Sequence, residues 1–395
     1  MPKPLDGIRV VDCSVGAHGP YAGALIADLG ADVIKIEPPG GELMRHARGG
    51  GGPAKKGHQL AYMGLNHGKR NIVLDLREAD DKQIALALVE RADVFLENWR
   101  GGAADGLGMG YKDLVKVNPR IIYASGSAHG YNSPYRTKPG ADGFSQDMSG
   151  MGSISGPVGG PPEKARFTIL DLTTPLPILQ GILMALIARD RTGEGQWVQC
   201  SQTETGIVYQ AVRMAEYFAT RKQPEPLGSA WANIVPSQSF KTKDGYIDVE
   251  AQTQQAWNNL CRALGLGRLA GDPRFKTNAD RVQHREQLIS ILEPKFLDAT
   301  SDEWVKVLEA NDVPAARVVW SIEELYTNPQ IVADKLIMTK EHSVAGPVQV
   351  PPIPWSFSRT PPEYKGVGDV IGSHQEEVLR EIGVVRGGKP GEKAN

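Results

Sequence analysis

From Ile8 onward, short apolar runs alternate with segments whose apolar residues recur every three or four positions, and the two spacings predict strands and helices in turn. Residues 8–13 and 32–37 read as strands flanking a helix over 21–29 that Gly30 ends. Further strands are expected over 71–76, 93–97 and 121–125, with helices around 81–91 and 111–117 between them. Such alternation builds a parallel sheet with helices on its faces, the large Rossmann-like domain of an α/β protein.

After a helix over about 202–219 and a proline-bearing polar connector at 222–227, the pattern changes. Residues 237–252 alternate about Lys243-Asp244-Gly245, the mark of a hairpin. Helices are expected over 254–264 and 281–297, and a third is capped by Thr300 with Glu303 three residues on. This predicts a smaller α+β domain. Residues 348–357 are proline-rich and read as an extended return. Ser373 and Glu376 suit a capping box on a last helix, whose Val378, Leu379 and Ile382 are expected to pack on the large domain. The expected partition is 1–205 for the large domain, 206–227 for the connector and 228–333 for the small domain, then a return segment and helix over 334–385 and a disordered tail over 386–395.

Composition narrows the picture. A net charge of −2 gives no general reason to expect nucleic acid or an anionic membrane as partner. Cys13, Cys200 and Cys261 lack metal-ligand spacing and read as reduced core residues, so no metal is expected. The longest apolar run, 176–188, is interrupted by Gln180 and is too short to span a bilayer. With no apolar signal segment at the N-terminus, a soluble cytoplasmic protein is expected.

Candidate chemistry centres on residues 166–204. Thr173 or Thr174 suits an N-cap before Pro175, which places Asp171 at the mouth of a helix. There it is either a capping residue or a poorly solvated, ionised carboxylate fit to act as a nucleophile. The first strand–helix turn, Ser14-Val-Gly-Ala-His-Gly-Pro20, lacks the glycine spacing that brings backbone close to a pyrophosphate, which argues against a dinucleotide cofactor. Residues 40–58, with glycine at each position from 49 to 52 and the pair Lys55-Lys56, read as a loop, either one that closes on a phosphorylated ligand or a plain solvated one.

The ordered set of motifs resembles the class III CoA-transferases, the family of formyl-CoA, carnitine and benzylsuccinate CoA-transferases. It comprises the stretch from Gly19 to Gly40, Asn66-His-Gly-Lys-Arg70 with Leu74-Asp-Leu76, and Ala92-Asp-Val-Phe-Leu-Glu-Asn98. Asp142 with Ser149-Gly150, Asp171 with Arg191-Thr-Gly-Glu-Gly-Gln196, and Gly372-Ser-His-Gln-Glu-Glu-Val-Leu379 complete it.

The resemblance implies that Asp171 attacks an acyl-CoA thioester and carries CoA through aspartyl anhydride and thioester intermediates. Asp142 falls where relatives hold an auxiliary carboxylate, or is a structural aspartate. CoA esters are expected as substrates with no permanently bound cofactor, contacted by Val15, Gly16, Ala17, His18, Lys69, Arg70, Ile72, Asn98, Trp99, Arg100 and Lys138. Backbone amides at 16–19 and after Asp171 are expected to hold an oxyanion. His129 stands where relatives carry an aromatic and, with Tyr131, is expected to meet the acid substrate, unless it is a solvent-facing loop histidine. His129, Asn132, Arg136 and Lys138 suggest a dicarboxylate, with succinyl-CoA as donor and an alkyl- or arylsuccinate or another dicarboxylic acid as acceptor. Racemases of the same fold carry a catalytic histidine where this chain has Ala141, which opposes that alternative. Residues 228–235 replace a glycine-rich flap of some relatives. The assembly implied is an interlocked dimer, either a homodimer or a heterodimer with a related subunit. A non-catalytic CoA-binding subunit is the remaining alternative.

Overall fold

In a computed structural model the chain is described over residues 2–46 and 54–384. The glycine run at 49–52 and the tail from 386 lie outside the described residues. Two compact units form, one from 1–152, 164–222 and 335–395, the other from 153–163 and 223–334.

The first unit is built on six parallel strands, β1 (Arg9–Asp12), β2 (Asp32–Glu37), β3 (Arg70–Val73), β4 (Val94–Glu97), β5 (Ile122–Ser127) and β6 (Trp197–Ser201). Their order is β3-β2-β1-β4-β5-β6, all parallel. Successive strand residues feed opposite cores. Val11, Ile34, Phe95 and Tyr123 pack on one face with Leu88 of α2 (Ala79–Glu90), Leu114 of α3 (Tyr111–Val117), Val378 and Leu379 of the last helix, Gln375–Glu381, and Ile382 just after it. Val10, Val33, Val94 and Ile122 pack on the other with Leu25 and Ile26 of α1 (His18–Asp28). β6 was not among the expected strands. It is a sheet edge in which Ser201 alone is buried, so no buried apolar run announces it.

The strongest departure lies at Asp171. A short helix, α4 (Asp142–Ser149), precedes α5 (Ile169–Thr173), and α5 runs through helical Thr174 into α6 (Pro175–Thr192). Neither Thr173 nor Thr174 caps a helix. The chain turns into α5 at Thr168, whose φ is 50°, and Asp171 lies in the first turn of α5. Continuous from 169 to 192, this stretch is long and apolar enough to cross a membrane by length and composition, contrary to the shorter run read from sequence. Ile178, Leu179, Ile182 and Ala185 instead bury against the sheet. The expected cap on the last helix is also absent. Ser373 accepts a hydrogen bond from Asn71 at 3.0 Å, and His374 occupies the N-cap.

The return segment contains a hairpin, Met338–His342 with Gly346–Val350. In the second unit, Ser237–Lys241, Tyr246–Glu250 and Ala315–Arg317 form an antiparallel sheet, turning at residues 242–245 as expected. The Thr300–Glu303 capping box is present. Trp257, Phe240, Phe296 and Trp304 fill its core, and Arg285 donates to the carbonyls of Trp231 and Ala232 in the segment at 228–235.

Beneath α1 lies a fully buried ion pair. Lys69 Nζ donates to Asp12 Oδ2 at 2.7 Å, to the Pro20 carbonyl at 2.6 Å and to Asn66 Oδ1 at 3.0 Å, so all three ammonium protons are claimed. Burial pulls the Lys69 pKa down to about 8 even beside Asp12. Gly23 of α1 crosses this pair, and a Cβ there would lie 2.7 Å from Asp12 Oδ2. Replacing Lys69 by Met leaves the Asp12 charge short of its nearest partner, and losing half of a buried pair costs about 3–5 kcal/mol. Urea unfolding of Lys69→Met is expected to show a loss of that size. A change below about 1 kcal/mol would mean that the pair does not hold the fold.

Candidate active site

Strand order reverses direction at β1 and β4, and in open parallel sheets the crevice beyond the C-terminal ends at such a point is where ligands bind. Here those ends lead into Val15–His18 and Asn98–Arg100. A cavity of about 1240 Å³ opens there, also lined by His129, Lys138, Asp142, Asp171 and Gln202. That exceeds the usual range for drug-sized ligands, about 300–1000 Å³, and suits an extended one.

Asn98 locks the first loop. Its Oδ1 accepts from the Val15 amide and its Nδ2 donates to the Val15 carbonyl, both at 2.7 Å, which fixes the orientation of the side-chain amide. The second Nδ2 hydrogen points to His18 Nε2 at 3.4 Å. On its other side His18 Nδ1 faces both Asp171 Oδ1 and Gln202 Nε2, each 3.4 Å away, so the ring lies between the first loop and the carboxylate. Close approach of these loops requires Gly19, where a Cβ would come within 2.5 Å of Ser14 Cβ. Gly16 is not free to hold an oxyanion in this arrangement, because its amide donates to Glu42 Oε2 at 3.0 Å.

Asp171 is placed from a distance. The first amides of a helix lack partners within it. In α5 those of Leu170 and Asp171 donate to one oxygen of Asp142, at 2.7 and 3.0 Å. The other Asp142 oxygen accepts from Gln146, which also bonds the backbone of Ala165. Asp142 is thus a remote helix cap with both oxygens engaged. Asp171 Oδ1 accepts from Gln202 Nε2 at 2.7 Å, while Oδ2 has no hydrogen-bond partner among the described residues. Gln202 opens α7 (Gln202–Val208), and its own oxygen accepts from Ser145 at 3.0 Å. Sequence reading missed Gln146 and Gln202. Gln146 was findable as an Asp–Gln pair four residues apart on a helix. Nothing local marks Gln202.

Three residues expected at the CoA site lie elsewhere. Lys69 is buried in its pair with Asp12. Arg70 is claimed by Asp32, Glu377 and Glu381, whose hydrogen bonds hold its pKa up against burial. Ile72 is fully buried core. Arg45, another cation near the loop, is bound by both Glu37 oxygens at 2.7 Å. Tyr131 packs edge-on against Trp197, centroids 4.4 Å apart, and lines a second cavity of about 350 Å³ with Glu97 and Tyr123. His129 does line the main cavity, with Nε2 donating to the Pro139 carbonyl at 3.1 Å. Arg100, Arg136 and Lys138 also line it, and none has an ion-pair partner among the described residues.

A family model described as CoA-transferase family III matches residues 5–375. The chain is 34% identical to the succinate–glutarate CoA-transferase of Agrobacterium fabrum, over 96% of each chain. It is 30% identical to the succinyl-CoA:glutarate CoA-transferase of Mus musculus, over 96% of this chain and 86% of that one. Among solved structures, a CAIB/BAIF family protein from Brucella suis superposes with a TM-score of 0.86 at 30% identity, covering 97% of this chain and all of the other.

Glu97, directly before Asn98, is buried, and that burial pushes its carboxyl up to about 8 despite the hydrogen bond it accepts from the Trp99 amide. The folded chain keeps this proton to about pH 8, whereas an unfolded glutamate releases it near its ordinary value of 4.5. Between those values the folded state holds more protons, so Glu97 makes stability fall as pH rises. Urea unfolding of Glu97→Gln from about pH 5 to about pH 8 is expected to give a flatter profile than the parent chain. Parallel profiles would mean that Glu97 is already ionised at pH 5.

Proposed function

We propose that this chain, which belongs to CoA-transferase family III, moves CoA from succinyl-CoA to a second small dicarboxylic acid by way of Asp171. The observation that carries this reading is a carboxylate in the wall of a large cavity with one oxygen held by Gln202 and the other unengaged. Asp171 Oδ2 attacks the thioester carbon of the donor, the C–S bond breaks, and CoA leaves as thiolate. The mixed anhydride keeps the activation that hydrolysis would waste. The thiolate adds to Asp171 Cγ and releases the donor acid. The acceptor carboxylate displaces CoA from Cγ, and CoA then attacks the acceptor's carbonyl to regenerate Asp171. Water must stay out meanwhile, since it would hydrolyse either intermediate.

Arg100, Arg136 and Lys138 in the cavity wall supply donors for CoA phosphates and for the far carboxylate of a dicarboxylic acid. The two relatives named above act on glutarate, which makes it the first acceptor to test, with alkyl- and arylsuccinates beside it. A racemase reading is disfavoured on two grounds. Ala141 offers no base, and both oxygens of Asp142 are engaged.

The same reading includes a dimer. Phe144, Met148, Phe167, Met184, Ile187, Val208, Val212 and Phe218 are exposed on α4 to α7 and on neighbouring segments. A surface this apolar is unusual on a lone soluble chain, and a second copy or a related subunit would cover it. In a soluble cytoplasmic enzyme, the buried face of the long apolar helix belongs to the core and not to lipid.

Peptide mass mapping after incubation with succinyl-CoA and hydroxylamine is expected to find a hydroxamate on the Asp171 peptide, and none in Asp171→Ala. Glutaryl-CoA is expected on adding glutarate, and to fall by at least about 1000-fold in that variant. Transfer that survives in Asp171→Ala would remove the nucleophile from the reading.

A further inference from the structure

We infer that Gln202 is a catalytic residue for the steps at the aspartyl carbon, its side-chain amide serving as the oxyanion donor to Asp171 Oδ1. The inference rests on Asp171 being the nucleophile. Two different carbonyl carbons react in that scheme, the substrate's and Cγ of Asp171 itself, and the second needs its own charge stabilisation.

Once Oδ2 has bonded to the donor acyl group, Oδ1 becomes a neutral carbonyl oxygen. When the CoA thiolate forms its S–Cγ bond, the π pair of Cγ=Oδ1 moves onto Oδ1. The returning pair breaks the bond between Cγ and the bridging oxygen, and the donor acid leaves as carboxylate. No proton is gained or lost. Attack by the acceptor carboxylate on the aspartyl thioester repeats the same movement, with the thiolate leaving. Both tetrahedral states place a full negative charge on Oδ1.

Gln202 Nε2 lies 2.7 Å from that atom, inside the range at which a fixed donor stabilises an oxyanion. It is fixed because Gln202 is 1% exposed and its oxygen accepts from Ser145, while a flipped amide would set its own oxygen against the Asp171 carboxylate, which can only accept. His18 Nδ1 lies 3.4 Å from the same oxygen. The first step gains nothing from Gln202. There Asp171 starts as a carboxylate and loses charge, so a donor on Oδ1 favours the starting state. This asymmetry separates a donor at Cγ from a residue that merely places the carboxylate.

The test is acid-quenched single turnover with succinyl-CoA alone, following by intact mass the chain carrying succinyl and the chain carrying CoA. In the parent enzyme the succinyl adduct is expected to pass rapidly into the CoA adduct. In Gln202→Met, conversion of one to the other is expected to slow about 100-fold, so that the succinyl adduct accumulates. Ser145→Ala, which frees the amide without removing it, is expected to slow the same conversion by a smaller factor. If both adducts form more slowly in parallel in both variants, or if neither rate changes, the inference is overturned while Asp171 stands. Asp171→Ala is expected to form neither adduct. If it forms both, or if the parent forms neither, the reading of Asp171 falls and this inference with it.

Discussion

The amides of Leu170 and Asp171 open a helix and so have no partner within it, and a single oxygen of Asp142 takes both. The geometry around the cavity follows from that bond. It fixes where α5 starts, hence where the Asp171 side chain leaves the helix. It also uses the negative charge of Asp142 against the positive end of the helix, where such charge is favoured. Gln146 holds the second Asp142 oxygen and ties it to the backbone at Ala165, just ahead of the turn at Thr168. Asp171 therefore reaches the cavity on a short, doubly anchored element, while its own carboxylate has no capping duty.

This arrangement explains what could and could not be read from the chain. The alternation of strands and helices was legible because it is local, set by spacings of two and of three to four. Asp171 was also legible as a marked position. Its helix start was not, because the residue that caps it stands 29 positions earlier. A local reading had to choose among neighbours, and Thr173 and Thr174 were the best of those. Arg70 and Ile72 failed for a related reason. Arg70 is claimed by Asp32 and by acids from the far end of the chain, and Ile72 points into a core that only the assembled sheet defines. Nearness in sequence to a basic motif said nothing about either. By contrast Val15, His18, Asn98 and Trp99 do line the cavity, since the loops after neighbouring strands at a reversal of strand order must converge.

Beneath the loops, Asp12, Lys35 and Lys69 place charge where no water reaches. Burial alone would raise the Asp12 carboxyl, but Lys35, Lys69 and the Ser14 hydrogen bonds outweigh it and hold the pKa low. Lys35 also donates to the Ser14 carbonyl, so the network grips the backbone at the root of the cavity's first loop. A set of interactions that is costly unless complete is well suited to holding a loop in one geometry.

The glycine that crosses this network limits how the enzyme can be made more robust. Exchanging a mid-helix glycine for alanine is a common route to a more heat-resistant protein, worth about 0.5–1 kcal/mol by removing backbone freedom. At Gly23 the added methyl would press on the Asp12 carboxylate and the Lys69 ammonium, neither of which has an apolar surface to offer or room to retreat. Thermostabilising libraries drawn from helix propensity would nominate this position early, and it is one to leave out. At Gly64 and Gly106, both helical, an added Cβ meets nothing within 4 Å, and there that strategy has room to work.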